Sequence, residues 1–236
     1  MLSKTVATLF QDIVSVAFPN NCVLCKQSLF ESEDTICGKC IQGLPLTHYH
    51  KHADNPAVKL FWGRCEIQQC APLYFLTKNN KVHDLIHLLK YRNKPMAGER
   101  LGKIIGANLI ANESVFTRQD NIIPVPLHWK KERLRGYNQA YCIAKGIESV
   151  TKYPLLSGNL TREVENVSQT RKSKYERWEN VEDVFRLQNP EVLANKNILL
   201  VDDVITTGST LEACVHAIKK AEGVKVSIAS IATAGA

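Results

Sequence analysis

The chain has 236 residues, of which 44% are hydrophobic, and its formal net charge is +7 at pH 7. This length accommodates one full α/β domain and a small appendage. No apolar run approaches the ~20 residues that span a bilayer, so we expect no transmembrane segment. The positive charge favours polyanionic ligands and permits nucleic-acid binding without demonstrating it.

Apolar residues recur at helical spacing from Leu2 to Phe18, and Asp12 interrupts them. A signal peptide would lack this acid and this amphipathic pattern, so the segment predicts an N-terminal helix. In the absence of a secretory leader, we expect a cytoplasmic protein with reduced thiols.

Two C-x-x-C pairs follow, formed by Cys22, Cys25, Cys37 and Cys40. Two such pairs provide the closed shell of four thiolates that is typical of structural Zn²⁺, with disulfides as the alternative. Cys65 and Cys70 form a looser pair, and whether they join the metal region stays open. We predict a zinc-binding domain with its helix over residues 1–60 and a second domain over residues 61–236.

The rest of the chain alternates strand and helix patterns, which favours an α/β domain with a parallel sheet. Helices are predicted at 82–89, 101–109 and 140–147, with Pro95 separating the first two. Strands are predicted at 122–125, 155–156, 184–185, 198–201 and 224–231.

The strand at 122–125 is interrupted by prolines, which predicts a rigid loop that leaves the sheet. Four basic residues and a single acid follow, and they supply positive charge for an anion or form an ordinary solvated turn. The basic residues are Lys130, Lys131, Arg133 and Arg135.

The strand at 198–201 leads into Asp202 and Asp203 and then into a turn rich in hydroxyl groups. Gly208 permits a tight bend, and Ser209 or Thr210 can cap the helix predicted after it. Amides at that helix start favour a phosphate, and the adjacent acids suit ribose hydroxyls or a Mg²⁺-bound ligand. The segment therefore predicts a sugar-phosphate site, although each half alone is a common way to end a strand.

This segment resembles the phosphoribosyl pyrophosphate (PRPP) signature of type I phosphoribosyltransferases. The resemblance implies that the turn holds the 5′-phosphate, that the acids hold the ribose 2′- and 3′-hydroxyls, and that Mg²⁺ accompanies PRPP. The implied PRPP-binding residues are Asp202, Asp203, Val204, Ile205, Thr206, Thr207, Gly208, Ser209 and Thr210. The implied pyrophosphate loop contains Pro124, Val125, Pro126, Arg133 and Arg135. The polar segment after residue 160 matches the hood of these enzymes, with candidates Arg162, Gln169, Arg177 and Asn180.

A four-cysteine knuckle ahead of a PRPP motif is the arrangement of the ComF family, which the chain resembles nearly end to end. The runs 89–91, 123–127 and 133–140 (Leu-Lys-Tyr, Ile-Pro-Val-Pro-Leu and Arg-Leu-Arg-Gly-Tyr-Asn-Gln-Ala) also match. The resemblance implies a type I phosphoribosyltransferase fold with a small N-terminal zinc domain, pentosyl transfer to an unknown acceptor, and a part in DNA uptake during natural transformation. Single-stranded DNA and the competence machinery are the implied partners besides PRPP. The alternatives are a single-stranded DNA-binding competence factor without turnover and a PRPP sensor.

Overall fold

The computed structural model describes residues 21–30, 33, 35–78, 80–113, 115–163 and 184–234. The chain divides into two compact units, Met1–Leu44 and Pro45–Ala236. This division lies upstream of the limit predicted at residue 60, because Ala57, Val58 and Phe61 are buried in the core of the second unit. The predicted N-terminal helix lies outside the described residues.

In the first unit, a turn at the first cysteine pair precedes helix α1, Gly38–Gln42. The turn is closed by a hydrogen bond from the Lys26 amide to the Cys22 carbonyl (2.9 Å). Lys26 has φ 64°, and Asn21 and Ser28 form an antiparallel bridge at the base of the turn.

The second unit contains the remaining helices and the strands of the described residues. The strands are β1 Gln69–Phe75, β2 Asn121–Pro124, β3 Leu160–Arg162, β4 Phe185–Leu187, β5 Asn197–Ile205 and β6 Lys225–Thr233. The α-helices are α2 Pro56–Lys59, α3 Lys81–Tyr91, α4 Pro95–Ile110, α5 Trp129–Arg135, α6 Gln139–Thr151 and α7 Ser209–Ile218. Short 3₁₀ turns occupy Tyr49–Lys51 and Pro190–Leu193.

Four strands form a sheet in the order β1-β6-β5-β2, and all three pairings are parallel. The predicted parallel α/β architecture is thus confirmed. Strands β3 and β4 form a separate antiparallel pair. The strand predicted at 155–156 is reduced to a parallel bridge between Leu155 and Ile122.

Strand β1 was not predicted, because Gln69 and Pro72 interrupt its apolar pattern. Proline has no backbone N–H to donate to a ladder, and the position of β1 at the edge of the sheet tolerates this. Its side chains are nevertheless buried from Gln69 to Tyr74.

Helices α4 and α6 lie in unusually close contact on one side of the sheet. A Cβ atom at Gly102 would lie 2.1 Å from the Ile143 carbonyl, and one at Gly146 would lie 2.1 Å from the Glu99 carbonyl. Only glycine permits this approach, which packs the fully buried Leu101 and Ile147 into the core. Among the helices in the described ranges, none combines the length and apolarity needed to cross a bilayer.

Candidate functional site

The acid pair lies in the last part of β5 rather than after it. Pairing with β6 continues to Ile205, opposite Thr233, so Asp202 and Asp203 occupy adjacent strand positions and point to opposite faces of the strand. The Asp203 amide donates to Oδ1 of Asp202 over 2.8 Å. The strand therefore presents two carboxylates at the carboxyl edge of the sheet, where ligands bind in open α/β folds.

The surroundings of Asp202 oppose its ionisation. Burial, together with the charge of Asp203, raises the pKa of Asp202 to about 7. Lys90 and Arg162 act in the opposite direction, because a nearby positive charge favours the carboxylate. Near neutral pH, Asp202 can therefore either accept or donate a hydrogen bond.

Lys90, in the last turn of α3, contacts this acid pair directly. Its Nζ lies 3.1 Å from Oδ2 of Asp203, and the two side chains are only 26% and 13% exposed. The sequence includes Lys90 in the Leu-Lys-Tyr run but gives no sign that it meets β5. Only the packing of α3 beside the sheet brings the two residues together.

The turn that was predicted to hold a phosphate, residues 206–210, follows β5 directly. Gly208 has φ +76°, a left-handed conformation that glycine adopts without strain, and α7 begins at Ser209. The predicted cap by Ser209 or Thr210 was wrong: Gly208 is the N-cap residue, and no side chain caps the helix. In the first turn, the Ser209 amide donates to the hydroxyl oxygen of Thr207 over 3.4 Å. The neighbouring hydroxyl side chains are exposed, namely Thr206, Thr207, Ser209 and Thr210.

Gly208 itself is buried against the ring of Phe61. A Cβ atom at Gly208 would lie 3.1 and 3.3 Å from two carbons of that ring, so a larger residue would displace the turn or the ring. The positive φ adds strain for any side chain.

Arg64 braces the same turn and was missed by the sequence analysis. Its Nη1 donates to the carbonyls of Thr207 (2.7 Å) and Leu60 (3.1 Å). Its Nε donates to Glu212 over 3.2 Å, and its Nη2 contacts Glu212 and Ser209. The guanidinium therefore ties the turn to the first turn of α7.

The proline loop lies beside the acid pair. The Val125 amide donates to the Val201 carbonyl over 2.8 Å, so pairing with β5 continues one residue beyond Pro124. The chain thus leaves the sheet after Val125, and not at Pro124 as the prolines predicted, because Pro124 lies at the end of β2 and its missing N–H does not prevent pairing by Val125. The seven-residue helix α5 has no buried residues: Arg133 is exposed, and Arg135 donates to Oε1 of Gln139 over 3.0 Å.

Of the hood candidates, only Arg162 belongs to the residues that the structure describes, and it lies at the end of β3. Burial lowers its pKa, and its guanidinium lies 5.3 Å from the Phe185 ring centre. It interacts electrostatically with Asp202, which associates the β3–β4 pair with the acid site. Gln169, Arg177 and Asn180 lie outside the described residues and stay predictions.

The four predicted cysteine ligands come together in the first unit. Their sulfur atoms all lie within 4.8 Å of one another, and Cys25 Sγ is 3.7 Å from Cys37 Sγ. A tetrahedral site with Zn–S bonds of about 2.3 Å requires sulfur atoms about 3.8 Å apart, so the arrangement fits Zn²⁺. Among the described residues this is the only such cluster, and Cys65 and Cys70 are not part of it.

The local environments of these thiols differ. Burial opposes ionisation of Cys22, but the amides of Cys25 and Cys37 outweigh it and lower its pKa to about 6. Burial and neighbouring thiols raise the pKa of Cys40 to about 12. A divalent cation would favour the thiolate form of all four.

The profile of the phosphoribosyl transferase domain family matches residues 149–236, which include β5, the turn and α7. The chain is 25% identical over 213 residues to Competence protein F of Haemophilus influenzae, covering 86% of this chain and 92% of that protein. It is 36% identical over 90 residues to Competence protein ComFC of Bacillus subtilis, covering 38% and 34% of the two chains. The resemblance to the ComF family is confirmed.

The predicted fold class is confirmed as well, because the matched domain contains the parallel strands β5 and β6 and a four-cysteine cluster precedes it. Among solved structures, the chain is similar to a purine phosphoribosyltransferase from Pyrococcus horikoshii Ot3. The identity is 18%, the TM-score is 0.37, and the match covers 57% of this chain and 72% of that one.

The Arg64 brace generates a stability prediction. A double-mutant cycle with Arg64→Ala and Glu212→Ala should give a coupling energy within about 0.5–3 kcal/mol, because both side chains are largely shielded from solvent and share several contacts. Urea denaturation measures it. The pair Lys219 and Glu66 is the matched control: Glu66 is 75% exposed, so its coupling should be smaller. Equal coupling in the two cycles would contradict the role of Arg64 as a brace.

Proposed function

We propose that the chain is a PRPP-binding phosphoribosyltransferase-like protein of the ComF type. The observation that carries the proposal is the continuous unit of acid pair, left-handed Gly208 and helix α7 at the carboxyl edge of a parallel sheet. Asp202 and Asp203 would hold the ribose hydroxyls. The amides and hydroxyls from Thr206 to Thr210 would hold the 5′-phosphate.

The pyrophosphate would lie between the acid pair and the proline loop. Pro124, Val125 and Pro126 would present backbone groups to it, and Arg133 and Arg135 would contribute positive charge. Mg²⁺ fits such an oxygen-rich site, since it binds largely through substrate phosphates and water, and it would neutralise charge on the departing pyrophosphate.

In pentosyl transfer, a nucleophile would form a bond to ribose C1 as the bond to pyrophosphate breaks. The protein residues would hold the sugar and the leaving group in line, so catalysis would rest on positioning and charge stabilisation. Arg162, which interacts with Asp202, would help to shield the reacting carbon from water, as the hood resemblance implies. A PRPP sensor would use the same residues without this step.

The first test concerns PRPP. The double variant Asp202→Asn, Asp203→Asn should weaken Mg²⁺-dependent binding, because each lost charged acceptor costs about 1.5–3 kcal/mol, or roughly ten- to a hundredfold. Gly208→Val should also weaken binding by distorting the turn. Isothermal titration calorimetry with and without Mg²⁺ measures both, with Glu191→Gln as an exposed control. Unchanged affinity in both variants would remove the proposed site.

We also propose structural Zn²⁺ at Cys22, Cys25, Cys37 and Cys40, in a cytoplasmic protein whose thiols remain reduced. The purified protein should contain about one equivalent of zinc, and the quadruple Cys→Ser variant should contain none. Elemental analysis decides this. Cys65→Ser, which changes a thiol outside the cluster, should retain the metal. Full zinc content in the quadruple variant would refute the assignment.

A second candidate is the binding of single-stranded DNA, as the competence resemblance implies. The exposed side of α5 favours it: Trp129 is 61% exposed, with Lys130 Nζ 5.7 Å from its ring, and Lys131 and Arg133 follow. Bases stack on exposed aromatic rings, and basic residues track the phosphates. The protein would then act in the internalisation of transforming DNA with the competence machinery, with or without turnover.

Weak DNA binding that falls steeply with salt is the expected result, because phosphate contacts dominate such binding. Fluorescence anisotropy with a labelled oligonucleotide at low and moderate salt measures it. Lys130→Glu with Lys131→Glu, and separately Trp129→Ala, should reduce it, whereas Lys225→Glu, an exposed lysine at the start of β6, should have a smaller effect. Absence of binding at low salt would reject the DNA-binding candidate and leave only the small-molecule function.

A further inference from the structure

The last turn of α3 is held by side chains from a segment far along the chain. The Leu89 carbonyl accepts hydrogen bonds from the Tyr137 hydroxyl and from Nε2 of Gln139 (3.3 Å). Carbonyls in the last turn of a helix have no partner within the helix, so these bonds satisfy one of them. Leu89 and Gln139 are buried, which fixes the helix end in place.

The same segment is tied to β5 on its other side. Nδ2 of Asn138 donates to the Val125 carbonyl over 3.0 Å, and the Val125 amide donates to the Val201 carbonyl over 2.8 Å. Asn138 also caps α6 through the amides of Ala140 and Tyr141. Through Val125, Asn138 is therefore linked to Val201, the residue that precedes Asp202 in β5.

The contacts form a closed ring. From Val201 they pass through the proline loop and the Tyr-Asn-Gln run to the end of α3, and they return to β5 through the ion pair of Lys90 and Asp203. Arg135 reinforces the ring, because its guanidinium donates to Gln139 and lies 5.8 Å from the Tyr91 ring centre. Arg135, a residue of the predicted pyrophosphate loop, is therefore also engaged in holding α3.

We infer that Lys90 is a positioning residue of the sugar-phosphate site, and that the run from Arg135 to Gln139 is the brace that aims it at Asp203. The inference rests on the function proposed above and deepens it. Lys90 holds the Asp203 carboxylate in one orientation, so that its oxygens meet the ribose hydroxyls without reorganisation when the sugar enters.

The charge balance supports this role. Two adjacent carboxylates in a partly buried strand repel each other, and a single ammonium between α3 and β5 offsets the repulsion. The charged groups that face Asp202 are Asp203, Lys90 and Arg162, with the buried Cys214 thiol also close. Lys90 contacts the pair directly, with its Nζ 3.1 Å from Oδ2 of Asp203.

Substitutions at Lys90 separate this role from simple packing. Lys90→Met keeps the length of the side chain and removes its charge, so Mg²⁺-dependent PRPP binding should weaken by about tenfold at pH 7. Lys90→Arg should restore most of the affinity. Tyr137→Phe, which deletes one bond to the Leu89 carbonyl, should weaken binding in the same direction but less. Lys81→Met removes an exposed lysine from the same helix and should have no effect.

The second measurement uses the free protein and needs no PRPP. Carbon-13 NMR of the aspartate carboxyls, with the Asp202 signal identified by its loss in Asp202→Asn, follows its titration. Because Lys90 lowers the pKa of Asp202, the titration in Lys90→Met should move to higher pH, and PRPP binding, which needs the carboxylate, should shift with it.

The two measurements test different claims: PRPP binding tests the proposed function, and the Asp202 titration tests the action of Lys90 on the acids. If the unmodified protein binds no PRPP, the proposed function is overturned, whereas the titration still decides whether Lys90 acts on the acids. An unchanged Asp202 titration in Lys90→Met would overturn the positioning role. If that variant nevertheless lost PRPP binding, Lys90 would contact the ligand itself, which also contradicts the inference.

Discussion

Two neighbouring carboxylates in the last part of a buried strand are the constraint around which the second unit is arranged. Removing such groups from water is costly unless they meet hydrogen-bond donors or cations. Here the Asp203 amide donates a hydrogen bond to Asp202, and the ammonium of Lys90 forms an ion pair with Asp203. Arg162 interacts with Asp202 through its charge. Helix α3 and strand β3 therefore bring charges to β5 from different parts of the chain.

The turn between β5 and α7 is also held by residues from other parts of the chain. The N-cap residue Gly208 has no side chain, so α7 begins without the usual N-cap hydrogen bond, although the Ser209 amide donates to the Thr207 hydroxyl. Such a helix start suits an anion but stabilises the free protein little. Phe61 and Arg64 compensate: one packs beneath Gly208, and the other holds the Thr207 carbonyl and Glu212. The site is thus rigid because residues outside it fix its backbone.

Local signals predicted the parts of the site that lie within one stretch of chain. The apolar run of β5, the acids and Gly208 follow each other directly, and the four cysteines come in two tight pairs, so their spacing was informative. Strand β1 was not predicted because Pro72 interrupts its apolar pattern. The proline is tolerated because β1 lies at the edge of the sheet. The helix cap was misassigned because Ser209 and Thr210 have the usual capping side chains, whereas a glycine occupies the cap. Arg64 and Lys90 could not be predicted from one sequence, since Arg64 lies 148 residues from Glu212 and only tertiary packing joins them.

The engagement of Arg64 has a consequence for ligand selectivity. A guanidinium has five N–H donors, and the carbonyls of Leu60 and Thr207, the Ser209 hydroxyl and Glu212 occupy them. Beside the turn it is a fixed positive charge that would not have to touch an anion held by the turn. Such a charge attracts every phosphate monoester alike, whatever carbon skeleton the phosphate is attached to. Under the proposed function, discrimination among sugar phosphates would fall to the acid pair, whose carboxylates would contact two hydroxyl groups of the sugar.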